Sequence, residues 1–141
     1  MPAKQQHVSG PFDVKVTPQK PDTQIARASA LARLTIDKRY HGDLEATAKG
    51  EMLATQTETK GSAAYVALER VTGKLQGHNG SFVLQHSATM DRGATNSSIT
   101  VVPDSGTGQL AGLSGEMRIH VDAEGRHSYE FDFRIEPPSA A

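Results

Sequence analysis

Cysteine and tryptophan are both absent from this chain of 141 residues. Without cysteine there is no disulfide, no thiolate nucleophile and no Cys-ligated zinc or iron-sulfur centre, a composition that fits a reducing compartment. An excess of either charge is lacking too: 15 Lys and Arg stand against 16 Asp and Glu, and the net charge is −1. No basic stripe is available to follow a phosphate backbone, which argues against a nucleic-acid partner. Apolar runs are short, well below the ~18 residues of a membrane span, and MPAKQQHVSGPF holds no signal-peptide core. The expectation is a cytoplasmic protein with no membrane association. Aromatics are few, four Phe and three Tyr in a chain that is 36% hydrophobic, so one domain with a modest core is expected.

Sustained 3.6-residue periodicity is missing, and what is there instead is alternation with a period of two. Phe12, Val14 and Val16 alternate with Asp13 and Lys15 until Pro18 and Pro21 break the run. Ile25 to Leu31 has the composition for one or two helical turns or a lead into the next strand. Leu34, Ile36 and Lys38 alternate with Arg33, Thr35 and Asp37, and His41-Gly42-Asp43 turns the chain into a long segment from Leu44 to Thr57. After Met90 the stretch DRGATNS reads as loop, followed by a short strand from Ile99 to Val102. Met117, Ile119 and Val121 lead to a turn at Glu124-Gly125 and a last strand with His127, Tyr129, Phe131, Phe133 and Ile135 on one side. The reading is all-β: an antiparallel barrel of about eight strands spanning residues 10–136, with little or no helix. Residues 1–9 and 137–141 read as flexible ends. Closure is preferred over a sandwich because it removes the long exposed edges.

The run from Tyr65 to Met90 carries the chemistry. With a two-residue turn at Asn79-Gly80, the strongest local hairpin signal, Glu69 faces Met90. With all of residues 73–80 as loop, Thr72 pairs with Ser81 and His86 faces Ala67. Both registers place Tyr65, Ala67, Glu69 and Val71 on one face with Phe82, Leu84, His86, Ala88 and Met90. Only the second allows Glu69 and His86 to meet: they are diagonal neighbours at about 7 Å there, against roughly 13 Å along the strand in the first.

The piece VPDSGTGQLAGLSGEM, residues 102–117, resembles the pattern of dirigent proteins and allene oxide cyclases. The ordered blocks KRYHGDLEATAKGEM, YVALERVTGKLQGHNGSFVLQH, PDSGTGQLAGLSG and HSYEF resemble more closely an uncharacterised bacterial family of the same barrel class, over about residues 10–135. The resemblance implies an eight-stranded antiparallel barrel of the allene oxide cyclase-like type with a cavity, and a dimer or trimer. It assigns no catalytic residue. An outward Val66/Leu68 pair on the Arg70 side of its strand is a further pointer to a homo-oligomer.

Glu69 on an apolar face must be paired, wet, or neutral with a raised pKa, the last being what a general acid or base needs. His86 beside Phe82 and Leu84 is placed to shuttle a proton or to act as a hydrogen-bonded core histidine. Tyr65, Phe82, His127 and Tyr129 are candidate ligand contacts and equally candidate packing. No His-x-His or His-x-x-x-His pair supports a metal at Glu69, His86 and His127, so no metal and no cofactor is expected. Ser105-Gly106-Thr107-Gly108 lacks the Lys and helix of a phosphate loop and reads as a tight strand connection. The function this points to is a barrel that takes a compact, partly apolar molecule, as a cofactor-free isomerase or cyclase using Glu69 and His86. The alternatives are a non-catalytic binding protein with the same cavity, or a filled barrel acting as an oligomeric structural module.

Overall fold

A computed structural model of the chain describes residues 3–137. Eight strands run up and down in chain order: β1 Gln6–Gln19, β2 Ala32–Tyr40, β3 Leu44–Gln56, β4 Ala63–Leu75, β5 His78–Asp91, β6 Ala94–Val101, β7 Leu113–Val121 and β8 His127–Ile135. Each pairs antiparallel with the next, and β8 returns to β1 through the Val8↔Phe131 register, closing the barrel. Closure gives every strand a neighbour on both sides, as expected for strands of this length.

Among the described residues helix is confined to one short piece, α1 Gln24–Ser29, and a single 3-10 turn at Gly108–Leu110. In α1 the Thr23 hydroxyl accepts from the Ala26 N–H at 2.9 Å, and Ala30 in the left-handed region ends the helix. No residue of α1 is buried, so the barrel is assembled without it. Among the described residues no helix is long and apolar enough to cross a membrane.

Three local readings are corrected. β1 begins at Gln6, because its first residues pair with β8; residues 6–9, expected to be flexible, are part of the barrel wall. The expected tail lies, apart from Pro137, outside the described residues. DRGATNS is not a long loop: Arg92 and Gly93, both at positive φ, make a two-residue turn, and β6 starts at Ala94. The hairpin between β4 and β5 turns at Gln76-Gly77, φ 48° and 80°, rather than at Asn79-Gly80.

β6 and β7 share only the register pair Thr100↔Glu116. Beyond Val101 the chain folds back along the edge of β5 instead. Val102 N–H donates to the Val83 carbonyl, Thr107 N–H to Ser81, and the Ser105 hydroxyl accepts from Val83 N–H. This expected tight connection also drives Leu110, 1% exposed, into one end of the barrel as a plug. Every Phe and Tyr except Tyr65 is buried. Tyr40 meets Tyr129 edge-on at 5.4 Å, and Phe131 packs against Phe82 and Phe133 at 5.9 and 5.2 Å. The sparse aromatics are thus concentrated on the plugged side.

Candidate functional site

The inward positions divide the barrel into a closed and an open half. In β1, Phe12 is buried, Val14 partly exposed and Val16 exposed; in β3, Ala48 gives way to Gly50, Met52 and Ala54. β4 passes from buried Ala67 to partly exposed Tyr65 and Ala63, β5 from Ala88 to exposed Met90, and β7 from Met117 through Ile119 to Val121. All these gradients run toward the end that carries the Gly61, Gly93 and Gly125 turns. The opposite end is filled by Leu44, Leu75, Leu110 and the aromatic cluster.

At the boundary between the halves lie the three buried ionisable residues, Lys38, Glu69 and His86, at 6%, 1% and 4% exposure. They stand on three successive rows of the ladder: Lys38 pairs with Ala48, Gly50 with Glu69, and Ala67 with His86. Lys38 must reach across β3 to touch Glu69, and that crossing is open because β3 offers only Ala48 and Gly50 there. Its ammonium donates to Glu69 Oε2 at 2.9 Å and to the Tyr40 hydroxyl at 3.4 Å. The Tyr40 hydroxyl in turn donates to Glu69 Oε1. His86 Nε2 lies 3.1 Å from Glu69 Oε2. That separation has hydrogen-bond length but not its angles, which leaves Nε2 buried without a directed partner. At that distance His86 is the largest of the influences that lower the Glu69 carboxyl.

Gly50 is required by this arrangement. A Cβ at that position would collide with the Leu68 carbonyl oxygen and stand 2.9 Å from Glu69 Cβ. Gly50→Ala is expected to cost about 1–3 kcal/mol, the range for overpacking a filled site. Urea unfolding followed by circular dichroism checks this; an unchanged midpoint would mean that β3 shifts freely and the crossing is not constrained.

Burial by itself would raise the Glu69 carboxyl. His86, the Lys38 ammonium and the Tyr40 hydroxyl outweigh it and hold the group at about 2. Glu69 is thus the paired carboxylate among the sequence-based alternatives, not the neutral acid. Burial, and then the charge of Glu69, push the Tyr40 phenol well above its usual range, so it remains a donor. Tyr65, on the open side, is raised by burial and then by the same carboxylate.

Glu69 and His86 meet in the register expected if Asn79-Gly80 is not the turn, but a two-residue turn at Gln76-Gly77 produces it rather than an eight-residue loop. Tyr65 and His127 lie partly exposed in the open half, His127 with its ring 5.2 Å from Phe12. Phe82 and Tyr129 belong to the closed half. Phe82 stacks on Phe131, and the Tyr129 hydroxyl donates to the His41 carbonyl at 2.7 Å while accepting from Leu44 N–H at 3.1 Å. Among the described residues no group of three His, Asp or Glu side chains forms a metal-binding cluster. Lys38 and Tyr40 were not identified as site residues from the sequence. The signal was present, because both continue the inward alternation of Leu34 and Ile36 along β2.

A concavity of about 970 Å³ lies on the outer face of β3, β4 and β5. Leu53, Val66 and Leu68 form its apolar part, each roughly half exposed, with Arg70 and Glu51 among its charged groups. Val66 and Leu68 point outward as expected.

No curated protein matches this chain. A solved structure, that of a protein of unknown function from the DUF3224 family of Shewanella oneidensis MR-1, is 45% identical to it. The match has a TM-score of 0.86 and covers 95% of this chain and 100% of that one. The DUF3224 model, described as a protein of unknown function, matches residues 8–133. With the same barrel class found in a solved relative and the family match running from the first buried residue of β1 into β8, the chain belongs to the DUF3224 family.

Proposed function

We propose that this protein binds a compact, partly apolar molecule in the open half of its barrel, seated above Glu69 and His86. One observation carries the reading: among the described residues the inward side chains grow more exposed toward one end of the barrel, and the buried ionisable cluster sits where they meet the filled half. A barrel needing only stability gains little from such a cluster, since apolar side chains of similar volume serve as well or better. A ligand site gains from it, because a few fixed polar groups at the floor of an apolar pocket set orientation. The likeness of residues 102–117 to the dirigent and allene oxide cyclase pattern supports a barrel with a usable interior.

A second reading, the cofactor-free isomerase or cyclase, is favoured by the unpartnered His86 Nε2 beside a carboxylate. In it His86 moves the proton and Glu69 orients the ring. A carboxyl held at about 2 is ionised at neutral pH and too weak a base for the role itself.

Titration with the neutral fluorophore N-phenyl-1-naphthylamine tests the binding reading. Saturable fluorescence is expected for the wild-type chain and for Leu53→Phe, whose added ring points outward. It is expected to be lost in Ala54→Phe, one residue along β3, where the ring enters the open half. Equal response of both variants would sink the reading. No response from any chain, together with a defined oligomer by light scattering, would favour the filled structural module.

A further inference from the structure

We propose that the outer face of β3, β4 and β5 docks a second copy of this chain, the two related by a twofold axis that passes beside Leu68.

The face has an apolar centre and a charged rim. Leu53 and Val66 are register partners on β3 and β4, and Leu68 follows two residues along β4 on the same side, so three half-exposed side chains form one unbroken apolar patch. Arg33, Lys49, Glu51 and Arg70 surround it, all lining the same concavity. This is the distribution found in protein interfaces, where charge is depleted at the core and gathers at the rim. The extent is sufficient as well, because β3 and β4 have 13 residues each and β5 has 14. At about 3.4 Å per residue and about 4.8 Å between strands, that sheet is roughly 45 Å long and, with β2 beside it, nearly ~20 Å wide. A stable interface takes about 800 Å² from each partner.

Charge selects the occupant. Arg33 donates to Glu51 Oε1 through both Nε and Nη2, at 3.0 and 2.8 Å, which leaves Oε2 of that carboxylate without a partner among the described residues. Lys49 is engaged by Asp37 at 2.7 Å. Arg70 stands directly opposite Lys49 in the ladder, and no ion pair among the described residues reaches it. Like charges in that position repel. The chain therefore presents, on one face, a cation lacking an anion and a carboxylate oxygen lacking a donor.

Their placement makes the face complementary to itself. Glu51 stands across from Leu68 on the neighbouring strand, while Arg70 lies two residues beyond Leu68 on its own strand. A twofold axis lying in the interface and running between those two positions exchanges them, so that Arg70 of each copy donates to Glu51 Oε2 of the other. The same axis lays Leu68 against Leu68. Every contact is made twice, and the carboxylate that Arg70 lacks is supplied by a surface the chain already has.

Size-exclusion chromatography with light scattering on the full-length chain, over a dilution series, reads the assembly. Wild type is expected to show twice the mass of one chain, falling toward a single chain on dilution. Leu68→Lys should leave a monomer. Arg70→Glu and Glu51→Arg each set like charges against one another across the axis and should weaken the dimer at least roughly tenfold. The double variant Arg70→Glu/Glu51→Arg exchanges the two charges and should restore most of the affinity. All three positions are exposed, so circular dichroism should show every variant folded. A wild-type chain that stays monomeric overturns the proposal, and N-phenyl-1-naphthylamine fluorescence lost in Leu68→Lys would then give the face to a small apolar molecule. A dimer untouched by Leu68→Lys uses another surface, a trimer has no twofold axis, and a dimer that the charge exchange fails to restore lacks the crossed pairs; each of these results overturns it too.

Discussion

Replacing Lys38 by Met is expected to destabilise the protein by about 3–5 kcal/mol, the cost of leaving one member of a buried ion pair without its partner. The Glu69 side chain has no exposed surface and that of Lys38 only 5%, so no solvent is at hand to take over the lost contact. Tyr40 still donates to Glu69 in the variant, but a neutral phenol does not offset the full charge. The carboxyl then titrates upward, since burial is the largest influence on it and the Lys38 ammonium no longer opposes that. Lys38→Met/Glu69→Leu should recover most of the loss, because an apolar pair of similar volume suits a barrel interior. Urea unfolding of the two single variants and the double variant forms the cycle that measures the coupling. A loss below about 1 kcal/mol for Lys38→Met would mean that water reaches Glu69 and that the boundary between the halves is wet.

Acid should remove about 3 kcal/mol of stability through Glu69 alone. The folded carboxyl, at about 2, lies below its ordinary value of 4.5, so folding is favoured by the ionised form. The contribution is complete above the unfolded value near 4.5 and is lost as pH falls toward 2. At about 1.4 kcal/mol for each pH unit between the two values, the whole difference is about 3 kcal/mol. Surface carboxylates act in the same direction: Glu130 is lowered chiefly by His120, and Asp132 chiefly by His7 and then Arg118. The measurement is therefore the difference between wild type and Glu69→Gln in chemical unfolding from pH 6 down to pH 2. Wild type should lose stability more steeply below pH 4.5, and parallel curves would show that Glu69 is not held as a buried carboxylate.

Much of the barrel was legible because alternation reports burial one strand at a time. Tyr65, Ala67, Glu69 and Val71 share a face whichever hairpin register holds, since the two candidates differ by an even number of positions. The turn itself was not legible. Asn79-Gly80 is the stronger local signal, yet Gly80 serves a different purpose: a Cβ there would collide with the Thr107 carbonyl oxygen and crowd Leu110. The glycine admits the plug, and Gln76-Gly77 turns the chain while Leu75 and His78 face each other as the last pair. A preference confined to four residues cannot register a loop that arrives from a distant part of the chain.

The site divides in the same way. By itself the sequence determined an all-β barrel, the inward face of each strand, and the need for Glu69 to find a partner in an apolar setting. The tertiary structure decided which partner. Lys38 and Glu69 lie 31 positions apart and on strands that are not neighbours, and they meet only because β3 between them presents Ala48 and Gly50 and because closure brings three ladder rows together. It also decided which end is filled, since that depends on Leu110 and the buried aromatic side chains gathering at one end of the barrel. Alternation depends on each residue and its immediate neighbours, so it can be read along the chain. Pairing across an intervening strand and occupancy of a barrel end depend on the whole closed surface, and they exist only after folding.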